Sequence, residues 1–136
     1  MIRAIVKDPL LLSKKSIDAD VNDKKIITDL KDTLLAHKRE CVGMAANMIG
    51  ENKNIIIVSL GFLPLVMINP KIINRKGEYE TMEGCLSLSG QRCTKRFKDI
   101  EVEYLDESLV KKRVKYNGYI AQIIQHEIDH TKGILI

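Results

Sequence analysis

Near the end of the chain, Gln125-His126-Glu127-Ile128-Asp129-His130 restricts the fold more than any other stretch. An α-helix turns about 100° per residue, so side chains four apart stack on one face. Read as a helix over residues 119–132, the segment sets His126 beside His130, with Glu127 turned toward the same neighbourhood. This is the His-Glu-x-x-His arrangement, in which two imidazoles hold a metal ion and the glutamate serves as general base for a metal-bound water. With only three histidines in 136 residues, two at this spacing are poorly explained as solvated helix residues. The fold must therefore close around one face of this helix and bring a further ligand to it.

Catalytic sites of this kind use three protein ligands and leave a fourth position open. A third histidine in the spacing of the extended motif would fall at Ile136, and no later helix follows, so the search moves upstream. His37, Cys41, Cys85 and Cys93 are the candidates besides assorted carboxylates. Cys85 is set apart by its context, Glu83-Gly84-Cys85-Leu86-Ser87, where a glycine lets the backbone approach closely. A thiolate there would complete a Cys-His-His set. A buried cysteine is more often a small apolar side chain, so spacing alone leaves the two roles open.

Glu83-Gly84-Cys85-Leu86-Ser87, followed about forty residues later by Gln125-His126-Glu127-Ile128-Asp129-His130, resembles the peptide deformylase family. The family's first motif, G-x-G-x-A-A-x-Q, has its counterpart in Cys41-Val42-Gly43-Met44-Ala45-Ala46-Asn47-Met48, and Ile68-Asn69-Pro70 is similar to the strand before the cysteine motif. Cys41 replaces the motif's first glycine and Met48 its glutamine. The resemblance implies an α+β fold with antiparallel β-sheets wrapped around a central C-terminal helix, and a single catalytic domain over residues 1–136.

The activity so implied is removal of the formyl group from N-formylmethionyl nascent peptides, with release of formate. Cys85, His126 and His130 would hold the metal, and Glu127 would act as general base and then acid on the metal-bound water. The backbone N–H of Leu86 and the residue at position 48 would stabilise the oxyanion. Met48 has a thioether and no N–H to give. Loss of one oxyanion donor costs about 2.7–4 kcal/mol, which puts efficiency in question. Asn47 or an ordered water is a substitute donor, although the motif spacing does not favour Asn47.

Met48 also supports a second reading, a deformylase relative that binds metal and formyl-peptides as a sensor or sequestering module. Gly43, Glu83, Gly84, Arg92, Tyr119 and Ile123 are the expected substrate contacts. Arg92 and Arg96 fall where the family has arginines, one for the peptide backbone and one to pair with Glu83. Asp129 is either a support for a ligand histidine or a solvated helix residue, and Gln122 is unexpectedly polar for its place. The resemblance implies ferrous iron as the cation, while zinc, nickel or cobalt suits the same donors. Transient ribosome association goes with nascent-chain substrates.

The remaining composition excludes rather than identifies. Apolar residues make up 45% and charged residues 29%, as in a globular domain. The net charge of +4 is dispersed, and its longest basic cluster, Lys111-Lys112-Arg113 with Lys115, alternates with Val114 and Tyr116 like a half-exposed strand. No specific nucleic-acid partner is expected from that. There is no run long enough for a membrane span and no signal-peptide pattern, so neither a membrane nor export is expected. Three cysteines without paired spacing argue against a disulfide framework and for a reducing cytoplasm.

Periodicity predicts the elements. Ile2, Ala4 and Val6 alternate as a short strand, and Asp8-Pro9 opens a helical turn through Leu12. A helix capped by Asn22 or Asp23 runs to about Lys38, burying Ile26, Ile27, Leu30, Leu34 and Leu35 on one face. Residues 41–50 read as a loop, 55–59 and 65–69 as strands joined by a turn at 61–64, and 74–77 as a polar turn. A loop over 90–95 precedes two paired strands at 100–104 and 110–116. Gly133 stops the metal helix and 134–136 run on extended.

Overall fold

The computed structural model describes residues 1–61 and 63–135. Its centre is a strand of four consecutive β-branched residues, Ile55-Ile56-Ile57-Val58, each 0% exposed. Successive side chains of a strand point to opposite faces, so a strand this apolar needs cover on both. Ile55 and Ile57 pack with Ile27, Leu30, Met44 and Met48 on one side. Ile56 and Val58 pack with Ile123, Ile124 and Ile128 on the other. The same alternation divides its neighbours, with Val66 and Ile68 on the first face and Met67 on the second.

The elements in chain order are α1 (Pro9–Leu12), α2 (Lys24–Ala36), β1 (Gly43–Ala45), β2 (Ile55–Ser59), β3 (Pro64–Cys85), β4 (Leu88–Leu105), β5 (Lys111–Asn117) and α3 (Gly118–Thr131). The strands form one antiparallel sheet in the order β1-β2-β3-β4-β5. Helix α2 covers one face of it and α3 the other. The fold is α+β as expected, although a single sheet takes the place of several.

The predicted turn over 74–77 and loop over 90–95 are both interior to a long hairpin. Asn74 is paired with Glu101, Lys76 with Asp99, Glu80 with Lys95 and Glu83 with Arg92. Backbone pairing with the facing strand holds in a ladder what composition reads as irregular; Asn74 Nδ2 donates across it to Glu101 Oε1 at 2.8 Å, and the Arg75 guanidinium stacks 5.3 Å above the Phe97 ring. The hairpin does not run straight. Its register shifts between Ile68 and Lys71, between Ile72 and Asn74, and between Gly84 and Cys85, and such bulges bend and twist a strand.

Smaller corrections follow from hydrogen bonding. Residues 2–6 form no strand; Val6 N–H donates to Met48 O at 2.8 Å instead. Asp23 stands at the N-cap of α2 but makes no side-chain cap bond; the capping side chain is Asp20, which accepts from Asn22 N–H and whose own N–H donates to Asp23 Oδ2 at 2.8 Å, at the head of a 3-10 turn over Val21–Asp23. Residues 41–50 hold β1 and a 3-10 turn, Ala46–Ile49. The helical turn opened by Asp8 and Pro9, strand 55–59 and the Gly133 stop, at φ +77°, are where the sequence puts them. Of the turn at 61–64 and the tail 134–136, Phe62 and Ile136 lie outside the described residues.

Candidate metal centre

Strand β3 ends at Cys85, and Leu86 and Ser87 make a two-residue turn into β4, so the cysteine sits at the tip of the bent hairpin. The tip meets α3, a helix with both stripes buried: Ala121, Ile124 and Ile128 pack on the sheet, while His126 and His130 face the hairpin. Cys85, His126 and His130 bring one ligand atom each to within 4.8 Å of one another. His126 Nε2 and His130 Nε2 lie 3.1 Å apart. Among the described residues this is the one such trio of potential ligands.

One histidine, His126, is held from behind, while His130 Nδ1 is buried with no partner among the described residues. His126 Nδ1 donates to Glu83 Oε1 at 2.8 Å, and since an ionised carboxylate only accepts, this bond fixes the tautomer and turns Nε2 toward Cys85. Glu83 is in turn gripped by Arg96 at 2.7–3.2 Å and by Gln122 Nε2 at 2.9 Å. Arg96 also donates to Asp129 at 2.7 Å. Burial alone would raise the Glu83 pKa; the bonds from His126, Arg96 and Gln122 bring it down to about 2 instead. With both oxygens engaged inside the protein, Glu83 supports His126 rather than a substrate. Asp129 pairs with Arg96 and holds no histidine.

The remaining groups differ in charge preference. Burial opposes charging the His126 ring, but the Cys85 thiol and Glu83 carboxylate beside it push its pKa up to about 10. Burial, then His126 and Arg96, push His130 down to about 3, which favours the neutral ring that a metal takes. Burial pushes Glu127 up to about 7. Its Oε1 is buried with no hydrogen-bond partner, a cost that a native site carries when the group has work to do. A soft thiol, two imidazole nitrogens facing each other and an unpartnered carboxylate oxygen fit a divalent cation with a proton acceptor beside it.

A cavity of about 930 Å³ leads to this set, bordered by Gly43, Met48, Glu83, Gly84, Cys85, Leu86, Tyr119, Ile123, His126 and Glu127. Arg92 does not border it and donates to Ser89 O at 3.3 Å. Gly43 has no room for a side chain, since a Cβ there would stand 2.8 Å from Ile123 Cγ2 and 2.9 Å from Glu127 Oε2. Met48 is 1% exposed, and its sulfur accepts from Ala45 N–H at 3.5 Å. Cys41 is accommodated by donating to Gly43 O at 2.7 Å. Asn47 does not border the cavity, and one N–H of its amide goes to His130 O at 2.7 Å.

Sequence reasoning missed how Gln125 and Gln122 are used. Gln125 Oε1 accepts from Phe97 N–H at 2.8 Å while Nε2 donates to Phe97 O at 2.8 Å, stitching α3 to β4. The signal was available: Gln122, His126 and His130 recur every four residues, so the polar Gln122 lies on the stripe that carries the histidines.

The family model of polypeptide deformylase matches residues 2–136. A peptide deformylase of Clostridium beijerinckii is 54% identical over 136 residues, covering 100% of both chains. A crystal structure of a peptide deformylase from Legionella pneumophila superposes with a TM-score of 0.89 at 31% identity, covering 99% of this chain and 83% of that one. The Met-Ala-Ser-bound class I type b peptide deformylase from Acinetobacter baumannii gives a TM-score of 0.89 at 26% identity, with coverage of 99% and 97%.

Proposed function

The chain belongs to the polypeptide deformylase family, an enzyme family that depends on metal, and we propose that it removes the formyl group from N-formylmethionyl peptides through residues 1–136 acting as one catalytic domain. The observation that carries this reading is the convergence of Cys85, His126 and His130 on one point beside Glu127, at the end of a cavity. That a relative of 26% identity binds Met-Ala-Ser supports a methionyl peptide as the product side of the reaction.

Cys85, His126 and His130 would hold the cation, for which we propose ferrous iron; zinc suits the same donors. When bound, it lowers the pKa of a coordinated water so that hydroxide is available near neutral pH. Glu127 takes the proton of the attacking water and delivers it to the departing amine nitrogen as the formyl C–N bond breaks. The backbone N–H of Leu86, one residue past Cys85 and on the border of the cavity, would donate to the oxygen on which charge builds. Gly43 keeps the wall opposite Glu127 flat, and Tyr119 and Ile123 border the place of the methionine side chain. Glu83 holds His126 in the ligating tautomer.

No helix of the described residues is long and apolar enough to cross a membrane, and the free state of Cys41, Cys85 and Cys93 supports a reducing cytoplasm, where nascent chains and the ribosome would be met. The alternative of a sensor with little turnover draws no support from the family match. The test is formate release from formyl-Met peptides by anaerobically prepared protein, with the metal content measured alongside. Cys85→Ser is expected to empty the site and abolish turnover. Full metal occupancy in that variant would overturn the ligand assignment.

A further inference from the structure

The walls of the cavity mouth are unlike in charge. On the side of the turn after Cys85 it is bordered by uncharged residues, Ser87, Ser89 and Gln91 among them. The N-terminal segment and the turn after α2 bring Lys7, Lys38 and Arg39 to its border, all exposed. One carboxylate, Glu40, lies among them, with an oxygen 3.0 Å from His37 Nδ1. Among the described residues, none of the three cations has an ion-pair partner.

The backbone fixes this rim. Lys38 and Arg39 stand in the turn that leaves α2, which is closed by His37 N–H on Thr33 O and Leu34 O and by Glu40 N–H on His37 O at 2.9 Å. Lys7 follows Val6, whose N–H is bound to Met48 O. The cations are thus tied to the two segments that frame the opening, and they flank the path to Glu127 rather than a distant face.

Resting on the deformylase reading above, we propose that this rim selects formyl-peptides with a carboxylate side chain in the first few residues after the methionine. An extended peptide advances about 3.3–3.6 Å per residue. With the formyl group at the buried end, the residues that follow methionine pass the rim while methionine itself lies inside. Unpaired cations at the mouth of a low-dielectric cleft raise the local concentration and encounter rate of anionic ligands. A nucleic acid fits less well, since strong phosphate binding draws on roughly six to ten contacts and the rim offers three cations.

The test is kcat/KM for C-terminally amidated formyl-Met peptides carrying Asp, Ala or Lys at the second, third or fourth position. At low ionic strength the Asp peptides are expected to exceed the Ala peptides by about tenfold, with the Lys peptides below both. The preference should collapse in ~1 M salt, where the screening length is about 3 Å. It should also collapse in the Lys38→Gln/Arg39→Gln pair, read as the Asp-to-Ala ratio within each protein. Equal rates for all three classes, or a preference that survives both salt and the paired substitution, would overturn the proposal. So would a short RNA that blocks turnover of the neutral peptide at low salt with no acid preference present. Formate from every peptide alike sinks this inference alone, whereas no formate from any sinks the parent reading with it.

Discussion

The two sides of the cavity are stabilised by different forces. The side built from β3, β4 and α3 is electrostatic: Arg96 and Glu83 are 3% and 7% exposed, and every side-chain oxygen and nitrogen of these two has a named partner. The side built from residues 43–49 is steric: Met44, Ala45 and Ala46 are 0% exposed and Met48 1%, and fit rather than charge sets their positions. The contrast explains where this chain departs from the family pattern. Every motif residue on the charged side is present, because removing one member strands another in a low-dielectric interior. On the packed side a glutamine becomes Met48, whose sulfur still meets the Ala45 N–H, and volume is kept.

Substitutions can break that contrast. Arg96→Met, close in length, leaves Glu83 buried with one cation fewer and is expected to destabilise the fold by about 3–5 kcal/mol. Urea unfolding reads this directly, and a loss within error of zero would mean that the charged side is not held by charge. Met48→Gln restores a side-chain N–H on the packed side and should raise turnover roughly a hundredfold at constant metal content. An unchanged rate there would show that position 48 contributes nothing to the oxyanion. Gly43→Ala forces a methyl against Ile123 and Glu127, so a loss of about 1–3 kcal/mol is expected, together with slower turnover, from overpacking. Thermal melts and steady-state rates on one preparation check both arms. Arg92→Ala, whose guanidinium hydrogen-bonds among the described residues to the Ser89 carbonyl alone, should fall within about 0.5 kcal/mol and leave KM unchanged. A several-fold rise in KM would return Arg92 to the substrate site.

How much of this could be read from the sequence depended on whether chemistry or topology dictated the residue. His126, Glu127 and His130 were legible because metal chemistry demands those types at helical spacing. Cys85 became legible only beside them. A continuous apolar run gave β2, and helical periodicity gave the α2 face except Leu35, which is 67% exposed. The long hairpin stayed hidden because Asn74, Lys76 and Gly77 have the composition of a turn, and only their partners Glu101 and Asp99 on the facing strand make them a ladder. Gly77 does carry φ +78°, but as a kink within the strand. The support of His126 by Glu83, and of Glu83 by Arg96, joins residues 43 and 13 apart in the chain. No local pattern encodes such pairings.

The bond from Asn47 to the His130 carbonyl spans 83 residues and crosses from the packed side to the last turn of α3. It acts as a tie rod between the halves of the cleft. A displacement of the end of α3 must either break this bond or carry the Ala46–Ile49 turn with it. Local opening events that free one end should free the other, and the amides of both segments should exchange with solvent as one cooperative unit.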